Sequence, residues 1–278
     1  MNSHTSLRDV LYEAPGPKTK RKIAIATAIS LVALAVLIIL IIRQFYLSGQ
    51  LDAKYWSFFT RGTTWSFIGT GLVGTLEVAL LAGIVTFIAG FLMMLGRISE
   101  SRILRGICTA LVEFTRGVPT LLFIYFFFLV VPTLGIKLVS LWKIVLPVAI
   151  SASGVVAEVL RSGVNAVPKG QTEAALSLGM TKGQVFIHIV FPQAIRYVIP
   201  ALISELVIVV KDTTFAYVVS FPDLMQNAMV LISNYDAMLS VYLVVAVIYI
   251  LINYTLNKIS AWIARRRNTT VKVTTKLL

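Results

Sequence analysis

Ile23–Ile42 reads IAIATAISLVALAVLIILII, twenty residues without one charged side chain, preceded by Lys18, Lys20, Arg21 and Lys22 and followed by Arg43. A bilayer core needs roughly 20 consecutive apolar residues to be crossed by a helix, so this run has spanning length. Working outward, five more runs of that kind follow. They are Gly69–Leu95 with Glu77 inside it, Gly117–Leu134 dense in Phe and Tyr, Leu141–Leu160 broken by Pro147, Tyr197–Phe221 carrying Glu205, Lys211 and Asp212, and Met238–Leu256. Lipid offers the backbone no hydrogen-bond partners, and a helix satisfies its own. The expectation is an all-α polytopic membrane protein with six transmembrane helices. A chain that is 58% hydrophobic and 13% charged, with a mean hydropathy of +0.87, excludes an ordinary soluble domain.

Lys and Arg give the orientation, because short cytoplasmic loops and tails carry the excess. Nineteen lie on the side of the termini: Arg8, Lys18, Lys20, Arg21 and Lys22, then Arg97, Arg102, Arg105 and Arg116, then Arg161, Lys169, Lys182 and Arg196, then Lys258, Arg265, Arg266, Arg267, Lys272 and Lys276. Five lie opposite, at Arg43, Lys54, Arg61, Lys137 and Lys143, with Lys211 left inside a span. Both termini and the long loop are expected in the cytoplasm. The net charge of +13 is thus accounted for by loops flanking spans, and no nucleic acid is expected as a partner. The partner that the six runs call for is membrane lipid.

The first span reads as an uncleaved anchor, its apolar run being too long for a signal peptide and no Ala-x-Ala pattern following it. The single cysteine, Cys108, excludes an intrachain disulfide, and His4 and His188 are far apart without ligand partners, so no metal or cofactor is called for. The organisation expected is a tail at 1–22, the first span at 23–42, an outer interfacial segment at 43–68, a bundle at 69–263 with a cytoplasmic loop at 163–195, and a basic tail at 264–278. Within the outer segment, Leu51–Phe67 interleaves Tyr55, Trp56, Phe58, Phe59 and Trp65 with Asp52, Lys54 and Arg61, which suits a helix lying along the membrane surface.

The long loop, Ser162–Arg196, is patterned like structure. Gln171–Leu178 holds helix formers at Glu173, Ala174, Ala175 and Leu176, and Gly179 follows where a helix end wants positive φ. Thr181 stands three residues before Gln184, the capping-box spacing, and opens a second helix expected to break at Pro192. A rigid helix with small residues, pointing out of the cytoplasmic face with Leu178 and Met180 for apolar contact, predicts docking of another protein.

Ionisable residues within spans are costly in lipid and face a cavity or a partner. Glu158 and Arg161 stand at i and i+3. Glu205 and Asp212 fall on one face seven residues apart, with Lys211 beside them. Two readings stand together here: ion pairs that hold the bundle, and groups that a zwitterionic solute meets, namely Lys211, Asp212, Thr213, Thr214 and Glu158. Glu113 and Arg116 are expected at the cytoplasmic interface, Arg116 snorkelling to it. Glu77 has no evident partner in its own span.

Glu173-Ala174-Ala175, then Gly179, then nine residues, then Ile189-Val190-Phe191-Pro192 resembles the EAA motif of ABC importer permeases, with Phe191 where leucine is usual. The similarity runs from Gly71 to Arg267 through Glu113–Pro119, Ala157–Gly163, Val167–Gln171, Phe191–Ala194 and Lys211–Thr214, all of which resemble the polar amino acid uptake permeases. Tyr12–Pro17 and the extra first span are similar to glutamate permease subunits, while Val155 and Thr214 stand where that group often has Tyr and Ser.

The resemblance implies a type I ABC importer permease fold. It implies an extracytoplasmic solute-binding protein, a second permease subunit, ATP-binding-cassette ATPase subunits, and an amino acid, glutamate by its nearest likeness, as the solute. Glu173, Ala174, Ala175 and Gly179 would form the coupling helix seated on the ATPase. No G-x-x-x-x-G-K-[ST] phosphate loop is present, so the chain is expected to be no enzyme. A stand-alone carrier or channel is the rival, though no inverted repeat relates the halves.

Overall fold

The computed structural model describes residues 16–268. Arg8, His4, residues 12–15 and the tail beyond 268 lie outside the described residues. The chain divides into two units, one ending at Ser57 and the other beginning at Phe58. In the first, α1 (Pro17–Leu47) contains the predicted span at 23–42 and has no buried residue. Pro17 opens it at a position where its missing N–H costs nothing. Leu51–Phe67 does not form one surface helix. Two 3₁₀ turns, Ala53–Tyr55 and Ser57–Thr60, lead instead into the next helix.

In the second unit, α2 (Gly62–Ile98), α3 (Arg102–Gly117), α4 (Thr120–Thr133), α5 (Trp142–Ala166), α6 (Lys169–Ser177), α7 (Lys182–Val219), α8 (Leu224–Tyr235) and α9 (Met238–Asn268) follow one another. Of these, α2, α5, α7 and α9 are long and apolar enough to cross a membrane alone. The third span departs from expectation. The apolar run from Gly117 follows a further helix from Arg102, and the two are bent by 98° around Val118 and Pro119. Proline at 119 keeps Val118 extended, which interrupts the helix. α9 also continues as helix to Asn268, through the start of the stretch expected as a tail.

Pro192 does not break its helix. Phe186–Val190 adopts a π turn, in which the amide of Phe191 reaches the carbonyl of Phe186. Proline removes one amide donor and crowds the carbonyl four residues back, and the wider turn relieves both. The same arrangement precedes Pro132, where Phe126–Val130 is the π turn. The loop's second helix is therefore the start of a spanning helix, so motion of the loop is motion of α7.

Packing relies on small residues. A first core joins Val78 and Ala82 of α2, Ile124 of α4, Val145 and Val148 of α5, and Val209 of α7. A second, nearer the α6 end, joins Met94, Val112, Ala157, Leu160 and Val198. At Gly163 of α5 an added Cβ would meet Val198 Cγ1 at 2.7 Å and the Ala194 carbonyl at 2.8 Å, both on α7. Backbone cannot yield as a side-chain tip can, so Gly163→Leu should lower the stability of the purified protein by about 1–3 kcal/mol, an overpacking cost. Thermal unfolding in detergent measures it, and an unchanged midpoint would mean α5 and α7 are not clamped there.

α8 was not anticipated. Asp223 caps it by accepting from the Gln226 amide at 2.7 Å, and the Leu224 amide donates to Thr75 Oγ1 at 3.0 Å. Asn227 Nδ2 donates to the Phe67 carbonyl at 2.7 Å, and Tyr235 stacks on Phe58 at 4.3 Å. These contacts bind α8 to the opening of α2. They also bury Phe58, which was expected at the lipid surface.

Candidate functional site

The candidate residues fall into two main sets, and the first is the loop between α5 and α7. α6 ends in paired hydrogen bonds: the Met180 amide to the Ala175 carbonyl at 3.3 Å, and the Gly179 amide to the Leu176 carbonyl at 3.0 Å. That pattern needs a left-handed residue between helix and exit, and Gly179 has φ +80°. Thr181 and Gln184 then form the expected capping box at the start of α7. Ala175 is buried with Val167, Val185, Val190 and Ala194, so it ties α6 to α7 and is not available to a partner. The outward face consists of Glu173, Ala174, Leu176 and Leu178, the last 83% exposed. Glu173 also lines a groove of about 510 Å³ with Lys169, Thr172 and Lys182.

Lys182 pairs with Glu100 in the turn between α2 and α3, which ties this loop to the neighbouring helices. The hydrogen bond from Lys182 holds the Glu100 carboxyl below its ordinary range. Both groups are exposed, so salt screens the pair. His188 is exposed with Nδ1 3.0 Å from the Gln184 carbonyl oxygen, and Cys108 is a buried free thiol.

The second set lies in the bundle. Asp212 of α7 accepts from Thr120 Oγ1 at 2.8 Å, and that hydroxyl is 2.9 Å from Ser151 Oγ of α5. Thr120 is the first residue of α4, so three helices meet at one carboxylate. Neither Thr120 nor Ser151 stands out in the sequence, since a lone hydroxyl in an apolar run carries no charge signal. Lys211 points outward and makes no ion pair with Asp212 among the described residues. Thr213 and Thr214 donate to the carbonyls of Val210 and Lys211, each at 2.7 Å. Glu205, 7% exposed, faces an apolar cleft of about 430 Å³ between α2 and α7.

Glu158 sits elsewhere. One carboxylate oxygen pairs with Arg97 of α2, and the group also takes a bidentate bond from Arg161, with Arg161 Nε at 3.3 Å. Arg97, counted in the sequence only for orientation, supplies the second cation, and the carboxylate is spent joining α2 to α5. Glu158→Gln leaves Arg97, whose side chain is only 12% exposed, without its counter-charge. The expected cost is about 1–3 kcal/mol, below that of a fully buried pair because Glu158 and Arg161 are partly hydrated. A lower unfolding midpoint with unchanged KM for solute is the expected result, whereas a raised KM would return Glu158 to the solute path.

Glu113 and Arg116 pair with each other at the end of α3. The Arg116 stem lies on Gly154, midway along α5. Residues 86–269 match the family described as binding-protein-dependent transport system inner membrane component. The chain is 35% identical to the glutamate transport system permease protein GluD of Corynebacterium glutamicum over 223 residues, 79% of this chain and 82% of that one. It is 33% identical to the "Probable glutamine ABC transporter permease protein GlnP" of Bacillus subtilis, over 69% of this chain and 89% of the relative. Among solved structures, an amino acid ABC transporter crystallised with histidines superposes with a TM-score of 0.70 at 29% identity, covering 75% of this chain and 98% of that chain. The chain belongs to the inner-membrane components of binding-protein-dependent transport systems, as an ABC importer permease. It is a multi-pass inner-membrane protein and a non-catalytic transport subunit.

Proposed function

We propose that this permease carries a polar amino acid, glutamate foremost, and that α6 is the element through which an ATPase drives it. The α6 loop supports the coupling reading: a short helix with an exposed small-and-apolar face, closed by a Schellman cap and joined through a turn to the capping box that opens α7, the helix that carries Asp212. ATP-driven closure of an ATPase dimer would push α6 and, through α7, rock the helices around the solute, a rigid-body change of the usual transporter kind. An extracytoplasmic binding protein delivers the solute, and a second permease subunit completes the pathway. The termini and α6 face the cytoplasm, as the excess of Lys and Arg directs.

For the solute, the Thr120–Ser151–Asp212 cluster suits an ammonium group, since a carboxylate and two hydroxyls converge there. The likeness to a glutamate permease supports glutamate. The experiment is uptake of radiolabelled amino acids into vesicles holding this chain with its ATPase, partner permease and binding protein. Accumulation of glutamate that stops without ATP is the expected result. Uptake that persists without the ATPase on an ion gradient would make this chain a carrier and end the coupling reading.

A further inference from the structure

α3 has three faces, and only two of them are explained by packing and lipid. Cys108, Val112 and Thr115 are buried, Thr115 and the Val112 carbonyl against Gly154 of α5 and Cys108 against Gly96 of α2. Ile103, Ile107, Leu111 and Phe114 fall on a second face and are exposed, as lipid-facing side chains are. The third face carries Arg102, Arg105, Thr109, Glu113 and Arg116, at steps of three and four residues that set them in one row.

One end of that row lies over the middle of a helix of spanning length. Gly154 stands twelve residues from each end of α5, about 18 Å at the helical rise of 1.5 Å per residue, and the Arg116 stem lies over it. Arg116 and Glu113 are 3.6 Å apart and keep 40% and 62% side-chain exposure, so the pair is not enclosed by this chain. Arg102 and Arg105 are exposed and make no ion pair among the described residues. Ionised side chains at the depth of a span face water or protein and not acyl chains. The adjacent apolar face already provides the lipid contact, which turns the charged row away from lipid.

We propose that this row walls a water-filled vestibule on the Lys/Arg-rich side of the bundle, and that its arginines give the vestibule a positive field that attracts the carboxylate of the departing solute. Three arginines against one glutamate set the sign. The route runs from the bend between α3 and α4, beside Thr120, along α3 to its opening at Arg102. This rests on the transport reading above, yet its test does not depend on uptake.

A C108A chain has no thiol. Into it Thr109→Cys and, separately, Ile107→Cys are introduced, and the assembled transporter is labelled in inside-out vesicles with membrane-impermeant methanethiosulfonates. One reagent carries a sulfonate and the other a trimethylammonium group. The T109C thiol should react at least about tenfold faster than the I107C thiol, and, with each reagent's rate taken relative to its rate with a free thiol in solution, about threefold faster with the anionic reagent than with the cationic one, a preference that R105Q with R116Q removes. T109C as slow as I107C would show the row sealed against a partner subunit and overturn the proposal. So would equal rates for the two reagents while both arginines are present. ATP-driven uptake by the C108A transporter is measured separately, in vesicles of the opposite orientation loaded with ATP. Wet, charge-selective labelling without such uptake would sink the transport reading and leave the vestibule standing.

Discussion

Gly179→Val is expected to cut ATP-dependent uptake at least about tenfold while the chain still inserts and assembles. At φ +80° a β-branched residue is strained whatever space surrounds it, and among the described residues none but its chain neighbours comes within 4 Å of an added Cβ. The cost of about 1–3 kcal/mol falls on the turn between α6 and α7 and not on a crowded core. The cheapest relief is to undo the Met180–Ala175 and Gly179–Leu176 hydrogen bonds, which re-aims α6. Since a 1.4 kcal/mol penalty on the docked geometry is a factor of ten, coupling should suffer before folding does. Gly179→Asn is the control, because asparagine enters the left-handed region at low cost and should keep uptake within about twofold of the parent. Equal loss in both variants would mean that the glycine matters for its size at the docked surface. Normal uptake in the valine variant would remove α6 from the coupling path.

The parts of this fold legible in the sequence are those in which one physical signal dominates. Ile23–Ile42 has no charged residue and Gly69–Leu95 only Glu77, so averaging over a window loses little, and α1 and α2 contain them whole. α3 is the opposite case. Its apolar residues occupy one face and its arginines another, so the average falls and the apolar run is legible only from Gly117, after the charged helix has ended. Pro192 misled for a different reason. Its local cost is real, but a π turn absorbs it, and nothing in Phe186–Val190 advertises that turn. α8 carried a faint signal that a wider reading would have caught, since Asp223 precedes Gln226 at capping spacing.

The site was legible in proportion to charge and glycine. Gly179, Thr181 and Gln184 stand in the structure where backbone chemistry required them. Charged residues in spans were visible as anomalies, but the sequence could not say which partners they met. Arg97 takes Glu158 from α2 across 61 residues, and Thr120 takes Asp212 across 92. Lys211, adjacent to Asp212 in sequence, points the other way because neighbours on a helix lie about 100° apart.

Asp212→Asn is the variant expected to strike solute handling most directly. The amide keeps the size of the side chain and can still accept from Thr120 Oγ1, so the junction of α4, α5 and α7 should persist with its charge removed. If the carboxylate meets the ammonium of an amino acid, the loss is one charge-assisted hydrogen bond, about 1.5–3 kcal/mol, and KM for uptake rises by roughly ten- to a hundredfold. Every amino acid carried should be affected alike, since all share the ammonium group. Thr120→Val should act more weakly, by about two- to fivefold, because it removes one neutral donor and leaves the charge in place. A purely structural Asp212 predicts the reverse ordering. Thr120→Val would then leave a half-buried carboxylate without its hydroxyl and lower the unfolding midpoint, while Asp212→Asn would leave KM unchanged and the protein no less stable. KM and the unfolding midpoint, measured on the same two variants, therefore separate a carboxylate that meets solute from one that only joins three helices.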